Sequence, residues 1–240
     1  GSLLWQAVRS GTSIPSDPLI PRAYATAPGA IDSVPLPGGG YAILGPRSRL
    51  TIDLGYGRQT RDVTLEGEAL FEVPHDESRP FTVHAGAALV RDIGTTFTVR
   101  SDEEGVKVVV ISGSVLLRDT IGAAPRTATL GAGDMARLGR QEPVNVRRGI
   151  RTDEQTAWTR KRLVFDDATL AQVKDDLRRW YGIELVLADS GLASRHVRAS
   201  FAGEPPDQVL KVIGLALGAS IERRGDTAVV RLRKGGSGPP

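Results

Sequence analysis

Apolar residues between Tyr24 and Arg147 recur at every second position in short bursts, each closed by a turn residue. Leu50, Ile52 and Leu54 alternate with Thr51 and Asp53, and Val63 and Leu65 with Asp62 and Thr64 before Gly67. Phe81 and Val83 flank Thr82, and Phe97 and Val99 flank Thr98. Tyr41 to Leu44 runs into Gly45-Pro46, and Val106 to Ile111 and Val115 to Leu117 lie on either side of Gly113. Period two with frequent turns predicts an all-β region in which each strand turns one face inward. No stretch with a helical period precedes residue 150.

The period then changes. Leu163-Val164-Phe165 reads as a short strand, and Leu170, Val173, Leu177 and Trp180 follow at spacings that share one helix face. Thr169 with Gln172 resembles a capping box, with Asp167 as the competing cap, and Gly182 stops the helix. Ile183 to Leu187 and His196 to Phe201 read as strands. Pro205-Pro206 opens a second helix with Val209, Ile213, Ala216 and Leu217 on one side, ended by Gly218. Ile221 and Thr227 to Leu232 form a hairpin around Gly225-Asp226. The expected fold is a mainly β first domain, a sandwich or solenoid of antiparallel sheets, followed by a small α+β domain of two β-α-β units. The expected boundaries are a lead-in at 1–23, the β domain at 24–150, the α+β domain at 151–233 and a linker-like tail at 234–240.

Composition narrows the function classes. Basic and acidic groups nearly cancel, at 31 against 28, and no stripe alternates basic with aromatic residues, so nucleic acid is not an expected partner. There is no cysteine, which removes disulfides, thiol chemistry and cysteine-based zinc sites. His75, His84 and His196 lack ligand spacing, so neither a metal nor a cofactor is expected. No run of 18 apolar residues exists. Gly1-Ser2 reads as a cloning remnant, and Leu3-Leu4-Trp5 as the end of an upstream membrane helix that is itself missing.

Seven fragments, in order, carry a family resemblance: Tyr24-x-Thr26-x-x-Gly29; Leu36-Pro37-x-Gly39; Leu65-Glu66-Gly67-Glu68-Ala69-x-Phe71-x-Val73; Arg79-Pro80-Phe81-x-Val83; Asp92-Ile93-Gly94-Thr95-x-Phe97-x-Val99; Ser112-Gly113-x-Val115; and Gly131-x-Gly133-Asp134. Together they resemble the periplasmic domain of FecR-type transmembrane sigma-factor regulators. Leu163-x-Phe165, Leu170, Arg179-Trp180-Tyr181-Gly182-Ile183 and Phe201-x-Gly203 are similar to the short N-terminal (STN) domain of secretins and TonB-dependent receptors.

The resemblance implies a periplasmic relay rather than a metabolic enzyme. The signalling domain of a TonB-dependent outer-membrane receptor would touch the C-terminal part. The whole regulator would act on an extracytoplasmic-function sigma factor in the cytoplasm, commonly in iron–siderophore uptake. Membrane attachment would come only through the missing upstream helix. The same resemblance implies self-cleavage at Gly94-Thr95: the threonine hydroxyl attacks the glycine carbonyl in an N-to-O acyl shift. The bland reading of that pair is a bulge beside a β-forming threonine.

Other residues admit two readings. Trp158, Trp180 and Tyr181 either pack a core or anchor a partner. Thr227, Val229, Val230 and Leu232 would bind a receptor strand if theirs is a sheet edge. Glu66, Glu68 and Glu72 read as solvated acids rather than a glycosidase pair, and Asp175-Asp176 as an exposed pair near Arg178 and Arg179. Arg224-Gly225-Asp226 reads as a hairpin turn. The rival functions are a periplasmic carbohydrate-binding or hydrolytic β-protein and a structural module of a secretion channel.

Overall fold

The fold is taken from a computed structural model, which describes residues 21–58, 60–92, 94–121, 126–139 and 144–233. Most of the expected lead-in, all of the tail and Ile93 lie outside these residues. The first module begins with β1 (Arg22–Ala25), β2 (Asp32–Pro35), β3 (Tyr41–Leu44) and β4 (Arg49–Ile52). It continues with β5 (Arg61–Glu72), β6 (Phe81–Ala85), β7 (Ala88–Asp92), β8 (Thr96–Asp102) and β9 (Gly105–Ser112). It closes with β10 (Ser114–Asp119), β11 (Thr127–Gly131), β12 (Met135–Gly139) and β13 (Asn145–Arg147).

The long strand β5 organises this module. Its first half pairs with β4 and, in parallel, with β6. Its second half pairs with β3 and β8. The change of partners falls at Gly67, whose φ of 89° lies in the left-handed region. A Cβ there would stand 2.5 Å from the Ser48 hydroxyl. Glycine is needed both for the backbone bend and for the close approach of Ser48, whose hydroxyl accepts the Glu68 N–H at 2.9 Å. The two sheet halves enclose one core, at whose centre Phe71 lies 5.3 Å from Phe81 and 5.4 Å from Phe97. The period-two pattern holds because inward positions such as Val63, Leu65, Val83 and Val99 are fully buried.

A short helix, α1 (Thr152–Gln155), leads into the second module: β14 (Leu163–Thr169), α2 (Leu170–Tyr181), β15 (Glu184–Leu187), β16 (His196–Phe201), α3 (Pro206–Leu217), β17 (Ala219–Arg224) and β18 (Thr227–Leu232). Thr169 caps α2, accepting the Gln172 N–H while Gln172 accepts the Thr169 N–H, so the capping box forms. Gly182 closes the helix at φ 68°. On α3, Leu210 takes the buried place expected of Ala216, which faces water.

Both helices pack on a second core that contains Phe165, Leu177, Ile213 and Val230. The two β-α-β units are split between sheets: β14 pairs with β16, while β15, β18 and β17 form a separate sheet. Within it β18 is the middle strand, parallel to β15 and antiparallel to β17. The expectation that Thr227 to Leu232 offers a free edge is therefore corrected. The reason is the tight Gly225-Asp226 turn, which returns β18 onto β17 while β15 closes its other side. Among the described residues no helix is long and apolar enough to cross a membrane.

Candidate functional site between the two modules

The most concentrated chemistry lies where α2 meets the β8–β9 hairpin and the loops of the first module. Arg179, near the end of α2, places Nη2 2.9 Å from Glu68 Oε2. Its Nε donates to the Pro46 carbonyl at 3.2 Å, and its own carbonyl accepts the Gly29 N–H at 3.0 Å. Glycines make this seat possible. A Cβ on Gly29 would come within 2.9 Å of the Trp180 carbonyl, and one on Gly45 within 3.1 Å of Arg179 Nη2.

Beside this seat Arg100 reaches from β8 to three carboxylates. Its Nε donates to Asp102 at 2.9 Å and its Nη2 to Asp175 at 2.8 Å, and its Nη1 lies 2.8 Å from Asp176. Arg178 grips Glu184 with Nε and Nη2 and reaches Glu103 with Nη1 at 3.2 Å. Glu104, in the β8–β9 turn, accepts from the Thr169 hydroxyl and from Gln172 Nε2. The capping box of α2 is thus itself clasped by the first module. Lys107 Nζ donates to Gln155 Oε1 at 3.2 Å.

Two expectations are corrected here. Glu68 is not a solvated acid: it is 4% exposed, whereas Glu66 and Glu72 face water. The Gly67 bend turns it toward the second module. Asp176 is likewise 6% exposed rather than on an open helix face, because that face of α2 lies against β8.

Burial would raise the Glu68 carboxyl, but Arg179, Arg100 and Lys107 outweigh it and hold it below its ordinary range. Burial dominates at Asp175 and raises it despite Arg100. Lys107 is pulled down to about 8 by burial and by repulsion from Arg100 and Arg137. Burial works to lower Arg100, yet Asp176, Glu68, Asp102 and Asp175 together raise it.

The residues expected to bind a partner are only partly gathered. Trp180 and Tyr181 pack against the second core, and the Tyr181 hydroxyl donates to the Glu204 carbonyl at 3.3 Å. Val230 is fully buried in that core, and Thr227 sits exposed at the hairpin. Val229 and Leu232 are partly covered. In the three-stranded sheet the edge strands are β15 and β17, and Val186 on β15 is a large apolar residue exposed there.

Gly94-Thr95 lies elsewhere, between β7 and β8. Gly94 has φ 137°, and a Cβ on it would stand 2.5 Å from His75 Cα. Its N–H donates to Asp92 Oδ1 at 2.9 Å. Thr95 is 4% exposed and its hydroxyl donates to the Ser114 carbonyl at 3.0 Å. Gly113 packs over the pair, where a Cβ would meet both the Gly94 carbonyl and the Thr95 hydroxyl at 2.8 Å.

A β-rich module clasped by buried ion pairs to a small α+β module defines a two-part protein whose central feature is the joint. Residues 22–116 match the model of the FecR protein family, and residues 162–230 match that of the FecR C-terminal domain. These two segments, in chain order, take in well over half of the sequence, and the chain belongs to the FecR family. Its fold is shared with two crystal structures, each of a candidate anti-sigma factor from Parabacteroides distasonis ATCC 8503. Both are 22% identical to this chain and fully covered by it, with TM-scores of 0.79 over 90% of the chain and 0.80 over 89%. No curated protein matches the chain.

Proposed function

We propose that this chain is the periplasmic signal-relay part of a FecR-type sigma-factor regulator. The observation that carries this reading is the buried Arg179–Glu68 contact, which ties the second module to the first. The second module, STN-like in its expected role, receives the signalling domain of a TonB-dependent outer-membrane receptor. The first module passes that event toward an inner-membrane helix and a cytoplasmic extracytoplasmic-function sigma factor. Nutrient uptake, with iron–siderophore complexes foremost, is the setting. The anti-sigma description of the Parabacteroides structures supports this reading.

Two measurements test it. Calorimetry of the 240-residue protein against purified receptor signalling domains gives saturable binding with a cognate domain; no binding across a panel counts against the reading. In cells, the regulator bearing E68Q/R179M binds its receptor domain normally but loses the transcriptional response. A full response in that variant rejects coupling through this contact.

A second activity, self-cleavage at Gly94-Thr95, is favoured by the left-handed Gly94 backbone and by the approach that Gly113 permits. The Thr95 hydroxyl oxygen attacks the Gly94 carbonyl carbon and the peptide C–N bond breaks. The freed Thr95 nitrogen takes the hydroxyl proton. Water then hydrolyses the ester, leaving a Gly94 carboxylate and restoring the hydroxyl. Denaturing mass spectrometry gives two fragments from the native chain and one mass from T95A; a single intact mass from both removes this activity.

A further inference from the structure

A cavity of about 730 Å³ opens at the joint, walled by β9, β12 and α1 on one side and by β14 and α2 on the other. That size suits a small ligand or a short peptide segment. Its walls are part apolar, with Leu138, Phe165 and Trp180 among them, and part charged.

The charges are unequally satisfied. Of the lining acids, Glu68 is held by Arg179, Asp102 and Asp176 by Arg100, Glu154 by Arg151 and Asp166 by Arg198. Glu104 accepts from Thr169 and Gln172. Among the described residues, Arg100 is the lining cation with acid partners. Lys107, Arg137, Arg147 and Arg162 line the same space with no carboxylate of the described residues in ion-pair contact. The indole N–H of Trp158, also on the wall, is buried without an acceptor. A buried donor with no acceptor leaves a desolvation penalty that a bound oxygen would relieve.

We propose that this cavity binds a carboxylate-bearing ligand, whose charge lies among Lys107, Arg137 and Arg162 and whose apolar part lies against Phe165 and Trp180. Burial and then repulsion from Arg100 lower the basicity of Lys107, and Glu68 and Asp176 offset this only in part, so a further anion beside it is favoured. The carboxylate comes either from a free small acid or from an acidic side chain of a partner segment. Because the walls belong to both modules, occupancy fastens one to the other. This inference goes beyond the relay reading and stands whether or not a receptor domain binds the chain.

The test titrates the full 240-residue protein at low salt with citrate and, separately, with a capped penta-glutamate peptide. Calorimetry and tryptophan fluorescence report binding, since Trp158 and Trp180 both line the cavity. The expected result is a saturable signal with at least one probe, weakened by added salt. Citrate alone identifies a small acid; a tighter peptide identifies a partner segment. R137Q/R162Q, two exposed positions, lowers the affinity about tenfold or more, while R49Q/R91Q on the first module leaves it unchanged. W158F removes part of the fluorescence change. Absence of saturation with both probes up to about 10 mM overturns the proposal, as does an equal loss in R49Q/R91Q.

Discussion

Arg179 of the second module and Glu68 of the first meet at 2.9 Å with both side chains more than nine-tenths out of water. Removing one partner leaves the other charge buried and uncompensated, which costs about 3–5 kcal/mol. R179M should therefore lower the unfolding free energy by about that amount. E68Q/R179M, which removes both charges, should lose far less than the sum of its single variants. Urea unfolding of the four-member cycle measures this; additive losses would show the pair to be energetically independent.

Acid should loosen the joint. The Glu68 carboxyl is lower in the fold than its ordinary value of 4.5. Its contribution is complete above that value and is lost as pH falls through the folded value. Asp175 is raised and therefore opposes this weakly, gaining stability on protonation. Stability measured from pH 7 down to about pH 3 should drop below about 4.5, and E68Q should flatten that limb. An unchanged acid limb in E68Q would assign the drop to other carboxylates.

Lys107 predicts the opposite sign at the alkaline end. Its folded value of about 8 lies under its ordinary 10.5, so the unfolded chain holds the proton more tightly between them. Stability from this group accordingly rises with pH across that window. K107M should be neutral or stabilising at pH 7, by up to about 2 kcal/mol. A clear loss in thermal melts would show that the Gln155 contact outweighs the buried charge.

Gly94 tolerates no side chain. A Cβ would overlap His75 at 2.5 Å, and φ 137° is strained for any L-residue. G94A should cost about 2 kcal/mol or more. T95S should be nearly neutral, since it keeps the hydroxyl donor to Ser114. Melting temperatures of the two variants separate these outcomes, and equal values would contradict the crowding at Gly94.

The strands and helices were legible because their signals are local. Alternation in β5, β6 and β8, the Thr169–Gln172 box and the Gly182 stop each lie within a few residues. The joint was not legible, because its pairs are distant: Glu68 and Arg179 lie 111 residues apart, and Arg100 and Asp175 lie 75 apart. An acid next to Gly67 on a strand reads as solvated until another module covers it. The Gly29 and Gly45 motifs were visible, but their purpose, room for the end of α2, appears only in three dimensions. The edge assignment of β18 failed for a related reason. A hairpin shows its antiparallel partner in the sequence and hides the parallel one, β15, which pairs Glu184 with the distant Thr227.

The central place of β18 sets an order of assembly for the second module. Its sheet cannot form until residues 227–232 have been delivered, because β15 and β17 have no direct pairing between them. Until then both strands must wait with bare backbone, and a protease nick at the Gly225-Asp226 tip would strike the exposed turn beside the keystone. β18 thus acts as a closing latch: whatever withdraws that strand leaves β15 and β17 without the partner they share.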